Sequence, residues 1–188
     1  MPAEDMAKPK TIQYRFVEEG EGTNRHQLYR LMDELIAQHH PDLVEFKIGI
    51  FYRKGFKPDK DGKLILGQAR KASEIERQIH NYHAMIVLNE EWWNDPGTNS
   101  AQKRAIMDHE LCHLKADKDA NEDVKRDEQG GPCLRMAKHD LEEFEEIVSR
   151  HGLYTQNLQR MAAAMYNARN ENNNRRANDT EEDALEER

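Results

Sequence analysis

The chain predicts an α+β fold, a small mixed β-sheet packed with helices, and three observations carry that expectation. Short alternating apolar runs stand at Ile12–Phe16 and Phe46–Tyr52. Longer stretches with the 3.6-residue repeat of amphipathic helices follow or separate them. Hydrophobic residues make up 37% of the 188 positions and charged ones 34%, so one domain with a modest core is expected.

The elements follow in order. Met1 to Lys10 is short and polar and reads as a flexible N-terminus. Ile12, Tyr14 and Phe16 alternate with Gln13 and Arg15, a strand with one buried face. Thr23 or Asn24 is placed to cap a helix running to His39, with Leu28, Leu31, Met32, Leu35 and Ile36 on one stripe. Pro41 stops it. Residues 45 to 53 read as a second strand and 63 to 69 as a third, joined as a hairpin by Gly55, Pro58 and Asp61-Gly62. Ser73 to Ile79 forms one or two helical turns, and Ala84 to Leu88 is an apolar strand covered on both faces. Trp92-Trp93 read as packing anchors before the turn at Asp95-Pro96-Gly97.

Ser100 then caps a helix carrying Asp108-His109-Glu110-Leu111-Cys112-His113. Residues 117 to 138 are polar and turn-rich and read as a long loop. Asp140 with Glu143 forms a capping-box pattern at the start of a helix ended by Gly152. Thr155 to Tyr166 is the last helix, and beyond Asn167 the composition predicts disorder. The organisation expected is a flexible segment over 1–10, a folded domain over 11–166 and a disordered acidic tail over 167–188.

The chemistry concentrates in the H-E-x-x-H run at 109–113. Histidines four apart stand one turn above each other on a helix, so both imidazoles can reach one metal ion. Zinc bound by two neutral imidazoles and a third protein ligand keeps a position for water and lowers its pKa. Glu110 is then the general base that takes the water's proton and passes it to the leaving amine. Met107, Leu111 and Leu114 form a separate apolar stripe on this helix, which an accidental motif on a solvated helix would not be expected to have.

Four residues compete for the third ligand. The extended pattern with Gly and a third His fails here, because its places are held by Ala116 and Asp119. Asp119 could ligate if the helix ended there, and Glu142 or Glu143 could do so from the following helix. His139 is better placed, directly before the N-cap Asp140, which could itself accept the free ring N–H of a ligand histidine.

Taken with His139-Asp140-Leu141-Glu142-Glu143-Phe144, the H-E-L-C-H run resembles the metallopeptidase domain encoded by bacteriophages and prophages. Val87-Leu88-Asn89 with Trp92-Trp93 adds to the resemblance, which spans Glu45 to Tyr154. It implies a zincin-like fold, with His109, His113 and His139 as zinc ligands and Glu110 as general base. A broader similarity runs to SprT-like and ImmA/IrrE-like minigluzincins.

Formal net charge is −8, which argues against a nucleic-acid binder held by phosphate contacts. The last eighteen residues hold seven acids against three arginines, so the body is acidic too and hides no basic stripe. No stretch has the roughly eighteen apolar residues of a membrane span. Two cysteines, Cys112 and Cys133, make no disulfide framework, and Met1 to Lys10 has no apolar run. These features suit a cytoplasmic protein, in a bacterial host if phage-encoded. The expectation is a zinc metallopeptidase acting on a protein or peptide, with Tyr154, His151 or Arg135 available to an oxyanion. The rival is a non-catalytic, zinc-stabilised adaptor in which Glu110 is dispensable.

Overall fold

The computed structural model describes residues 12–60, 62–141 and 145–186. The chain is α+β, with a small mixed sheet and six helices among the described residues. Two compact units divide it, one ending at Ala137 and one beginning at Lys138. The expected flexible segment 1–10 lies outside the described residues. No helix among those described is long and apolar enough to cross a membrane.

Four strands form the main sheet of the first unit: β1 (Gln13–Phe16), β2 (Ile48–Lys54), β3 (Gly67–Lys71) and β4 (Ala84–Asn89), in the order β1-β2-β4-β3. β2 runs parallel to β4, while β1 and β3 are antiparallel to their neighbours. The hairpin expected between residues 45–53 and 63–69 is therefore incorrect. β4 lies between those two strands, because all six of its residues are buried and the most apolar run takes a central place. β1 also departs from expectation, since all four of its residues are exposed at the sheet edge. Phe16 still meets Phe51 and Tyr82, with ring centroids 5.2 and 6.0 Å away.

One face of the sheet builds the core. Ile48, Ile50 and Tyr52 of β2 and Ala84, Ile86 and Leu88 of β4 share it, as the two-residue repeat of strands requires. Helix α1 (Gln27–His39) buries Leu28, Tyr29, Met32, Leu35 and Ile36 against them. Each buried aliphatic side chain contributes roughly 1.5–3 kcal/mol. The Tyr29 hydroxyl accepts from Ile50 N at 3.1 Å and donates to Val17 O at 3.2 Å, and burial pushes its phenol up to about 12. His26 caps α1, its ring Nδ1 accepting from Leu28 N, in place of Thr23 or Asn24. Helix α2 (Glu74–His80) starts on a Ser73–Glu76 capping box, within the stretch predicted to be helical. Helix α3 (Glu90–Trp93) follows β4 directly and buries Trp93.

Helix α4 (Ser100–Cys112) is capped by Asn99, one residue before the expected Ser100, and Gln102 completes the box with two bonds of 2.9 Å. Its Met107 and Leu111, with Leu114 just beyond, are fully buried. The segment expected as a loop is instead a β arm. β5 (Leu114–Ala116) pairs antiparallel with β6 (Leu134–Met136), and isolated bridges at Lys118–Val124 and Arg126–Pro132 close two turns within the segment between them. Its polar turns close on carboxylates. Asp119 Oδ1 accepts from the N–H groups of Asn121 and Asp123, and Asp127 Oδ1 from those of Gln129 and Gly131. Arg126 pairs with Glu45 at 2.7 Å, and Arg77 pairs with Asp127, so the arm is tied to the body.

The second unit contains α5 (Glu145–His151) and α6 (Gln156–Glu186). The Asp140–Glu143 capping box falls on residues partly outside those described. Gly152 ends α5 at φ 70°, a left-handed value that glycine adopts without strain. Thr155 Oγ1 accepts from Leu158 N at the start of α6, and Leu158 is buried. The helix continues to Glu186, past Asn167 where composition alone predicts disorder. Alanine, arginine and glutamate favour helix intrinsically, which an argument from missing apolar residues does not register.

Candidate metal centre

Two bonds and a cap bring the two motif histidines together. His109 lies in the last turn of α4, and His113 is its C-cap residue with φ −70° and ψ −18°. That near-helical backbone preserves the one-turn relation although the helix has ended. The two Nε2 atoms stand 3.3 Å apart. Two nitrogens bound tetrahedrally to zinc at about 2.05 Å would be separated by roughly 3.3 Å, so this pair fits the ion.

The second ring nitrogen of His113 is also accounted for. Nδ1 lies 2.9 Å from Ala137 O, and since a carbonyl only accepts, Nδ1 carries the proton and Nε2 presents its lone pair. Ala137 N in turn donates to His113 O at 2.7 Å. These bonds extend the β5–β6 ladder by one pair beyond Leu114–Met136. The polar arm read as a loop is thus what fixes the tautomer of a motif histidine. Its signal was available in the alternation of Leu114-Lys115-Ala116 and Leu134-Arg135-Met136 around turn residues.

Glu110 turns away from solvent and is only 4% exposed. Burial pushes its carboxyl above the usual carboxylate range, offset in part by His113 and by the Ala69 backbone N–H directed at it. A folded pKa above the unfolded one means that Glu110 favours folding when protonated. That contribution is full below the ordinary glutamate range and is lost as pH rises through the folded pKa. Glu110→Gln is therefore expected to raise the Tm of the metal-free protein at pH 7 and to leave it unchanged near pH 3. Equal melting of the two proteins at both pH values would contradict this assignment of a buried charge.

A second contact, which the sequence reading missed, anchors the helix. His40 Nε2 lies 2.6 Å from Asp108 Oδ1 and joins the end of α1 to α4 one residue before His109. With Cys112 this makes a trio whose donor atoms all lie within 4.8 Å of one another. His40 Nδ1, however, is buried with no partner among the described residues, whereas a ligand histidine needs its other N–H satisfied. The arrangement suits His40 donating from Nε2 to the Asp108 carboxylate. His40→Ala is expected to cost about 2 kcal/mol in denaturant unfolding, because it removes a charge-assisted bond and leaves a cavity. A loss below about 0.5 kcal/mol would show the pair to be idle.

The remaining candidates are placed as follows. Asp119 spends one carboxylate oxygen on its own turn. Glu142 and Glu143 fall outside the described residues. His139, His151 and Tyr154 belong to the second unit, and Arg135 is exposed on β6. Cys112 is exposed, Cys133 is half-buried, and neither forms a disulfide. His83 accepts from Lys47 N and is held below the usual histidine range chiefly by burial.

A family model described as "Putative phage metallopeptidase" matches residues 22–166. No curated protein and no solved structure matches the chain.

Proposed function

The chain belongs to this phage metallopeptidase family, and from that premise we propose a zinc-dependent peptidase that hydrolyses peptide bonds in a protein or peptide substrate. The metal ligands are His109, His113 and His139, and the general base is Glu110. The observation that carries the reading is the 3.3 Å Nε2 pair, with the His113 tautomer set by Ala137.

His139 takes the third place by chain reach. It follows Ala137 by two residues, and Ala137 O is hydrogen-bonded to the His113 ring. Two residues of extended chain span about 7 Å, within which a ligand to the same ion would have to lie. Asp119 is the weaker choice because its turn already engages it.

Zinc held there supplies a Lewis acid for the scissile carbonyl and an acidified water. Glu110 does the proton work of this chain. Its carboxylate accepts a proton from the attacking water and delivers it to the departing amine nitrogen. Burial raises its affinity for that proton, which suits a group that must hold it between the two events. β3, the outer strand of the sheet beside α4, offers a backbone edge, apart from the Ala69 N–H directed at Glu110, for an extended substrate added as a further strand. Cys112 and Cys133 form no disulfide, which suits a reducing compartment, and we place the enzyme's action in the host cytoplasm.

The test is cleavage of a reduced, unfolded protein by the zinc-loaded chain. Fragments should form, cease with a chelator, and return when zinc is restored. A fully zinc-loaded chain that cuts neither this substrate nor a degenerate peptide library would favour a binding role and end the peptidase reading.

A further inference from the structure

Glu110 rests on a gap in the sheet. A Cβ built on Gly67, the first residue of β3, would lie 2.6 Å from Glu110 Oε1 and 3.0 Å from both its Cδ and Cγ. The overlap involves most of the Glu110 side chain, which is only 4% exposed and has little room to swing away. Gly67 is not among the residues with positive φ, so its backbone conformation does not call for glycine. Space alone does.

The neighbouring backbone completes the support. Asn89 N donates to Leu66 O and Ala72 N to His83 O, which sets the parity of the β3–β4 ladder. Gln68 and Arg70 therefore bond to β4, while the N–H of Ala69 faces the outer side of the sheet. There it is directed at the Glu110 carboxylate.

We propose that Gly67 is a positioning residue for Glu110: the bare Cα of Gly67 and the outward N–H of Ala69 form a ledge that fixes where the general base stands relative to His109 and His113. As a role in catalysis this rests on the peptidase reading, but the contact itself does not. A side chain at position 67 pushes the carboxylate off the ledge while leaving both histidines in place. An error of about 1 Å in a catalytic group can cost on the order of 10²-fold.

Gly49 supplies the control. A Cβ there would lie 2.5 Å from Met85 Cε and 3.0 Å from Sδ, a flexible thioether remote from the proton chemistry. Gly67→Ala and Gly49→Ala are compared for zinc content, kcat and KM on the unfolded substrate, and hydrogen exchange of the Ala69 amide. Gly67→Ala is expected to keep wild-type zinc, lose about 100-fold in kcat with KM within about threefold, and speed Ala69 exchange at least about tenfold. Gly49→Ala should lower the Tm yet hold kcat and Ala69 exchange within about threefold of wild type. Should Gly67→Ala fail to fold, the Gly67→Ala/Glu110→Asp double variant, shorter by one methylene, is expected to restore folding. A double variant that stays unfolded would overturn the proposal. So would a Gly67→Ala protein with wild-type kcat and unchanged Ala69 exchange. If the wild type binds zinc but cuts nothing, the peptidase reading falls, and Ala69 exchange still decides whether Gly67 places Glu110.

Discussion

Glu110→Gln is expected to bind zinc as the wild type does, keep its fold, and lose about 10³- to 10⁴-fold in kcat. The amide has nearly the same shape as the carboxylate and still fits beside β3, so packing is preserved. It cannot accept a proton. Since Gln also removes a buried charge, the variant should be no less stable than the wild type when metal-free, which separates lost chemistry from lost structure. Steady-state kinetics with zinc analysis on the same sample checks the prediction. A variant retaining a tenth of wild-type kcat would assign proton transfer to another group.

His113→Ala is expected to have the second-largest effect, on metal and turnover together. The ring does two jobs: its Nε2 stands 3.3 Å from that of His109, and its Nδ1 ties α4 to the end of β6 through Ala137. Loss of a partner behind a ligand typically weakens metal binding 10–100-fold, so loss of the ligand itself should exceed about 100-fold. Cleavage should vanish at zinc concentrations that saturate the wild type. The β5–β6 pairing also loses a side-chain bond, so exchange of amides around Ala137 should quicken. A competition titration against a zinc chelator measures the first effect, and zinc affinity within tenfold of wild type would remove His113 from the ligand set.

How far the sequence anticipates this architecture depends on the range of the interaction involved. α1, α4 and β4 were legible because their burial is written in local periodicity: Leu28 to Ile36 on one stripe, Met107 and Leu111 on another, and an unbroken apolar run from Ala84 to Leu88. The pairing of strands was not. Turn residues between β2 and β3 suggest a hairpin, yet β4 arrives from later in the chain and takes the central place between them. Caps shifted by a few residues for a similar reason. His26 can cap α1 only because its ring nitrogen meets Leu28 N, an option that the usual list of capping residues omits.

In the site, the motif marked His109, Glu110 and His113, since spacing on a helix is a local property. What holds them was hidden in distant segments. His40 reaches Asp108 from the end of α1, and Ala137 reaches His113 across the β5–β6 arm. Polar composition made that arm look like a loop, because its pairing is short and its carboxylates serve its own turns. The burial of Glu110 was equally invisible, for it depends on how closely α4 approaches β3.

The most direct test of the account is the zinc content of the purified protein beside that of His109→Ala, His113→Ala and His139→Ala. One zinc per wild-type chain, lost from each of the three variants, is the predicted result. Zinc undiminished in both His109→Ala and His113→Ala would contradict it and leave the paired imidazoles without a metal to bind.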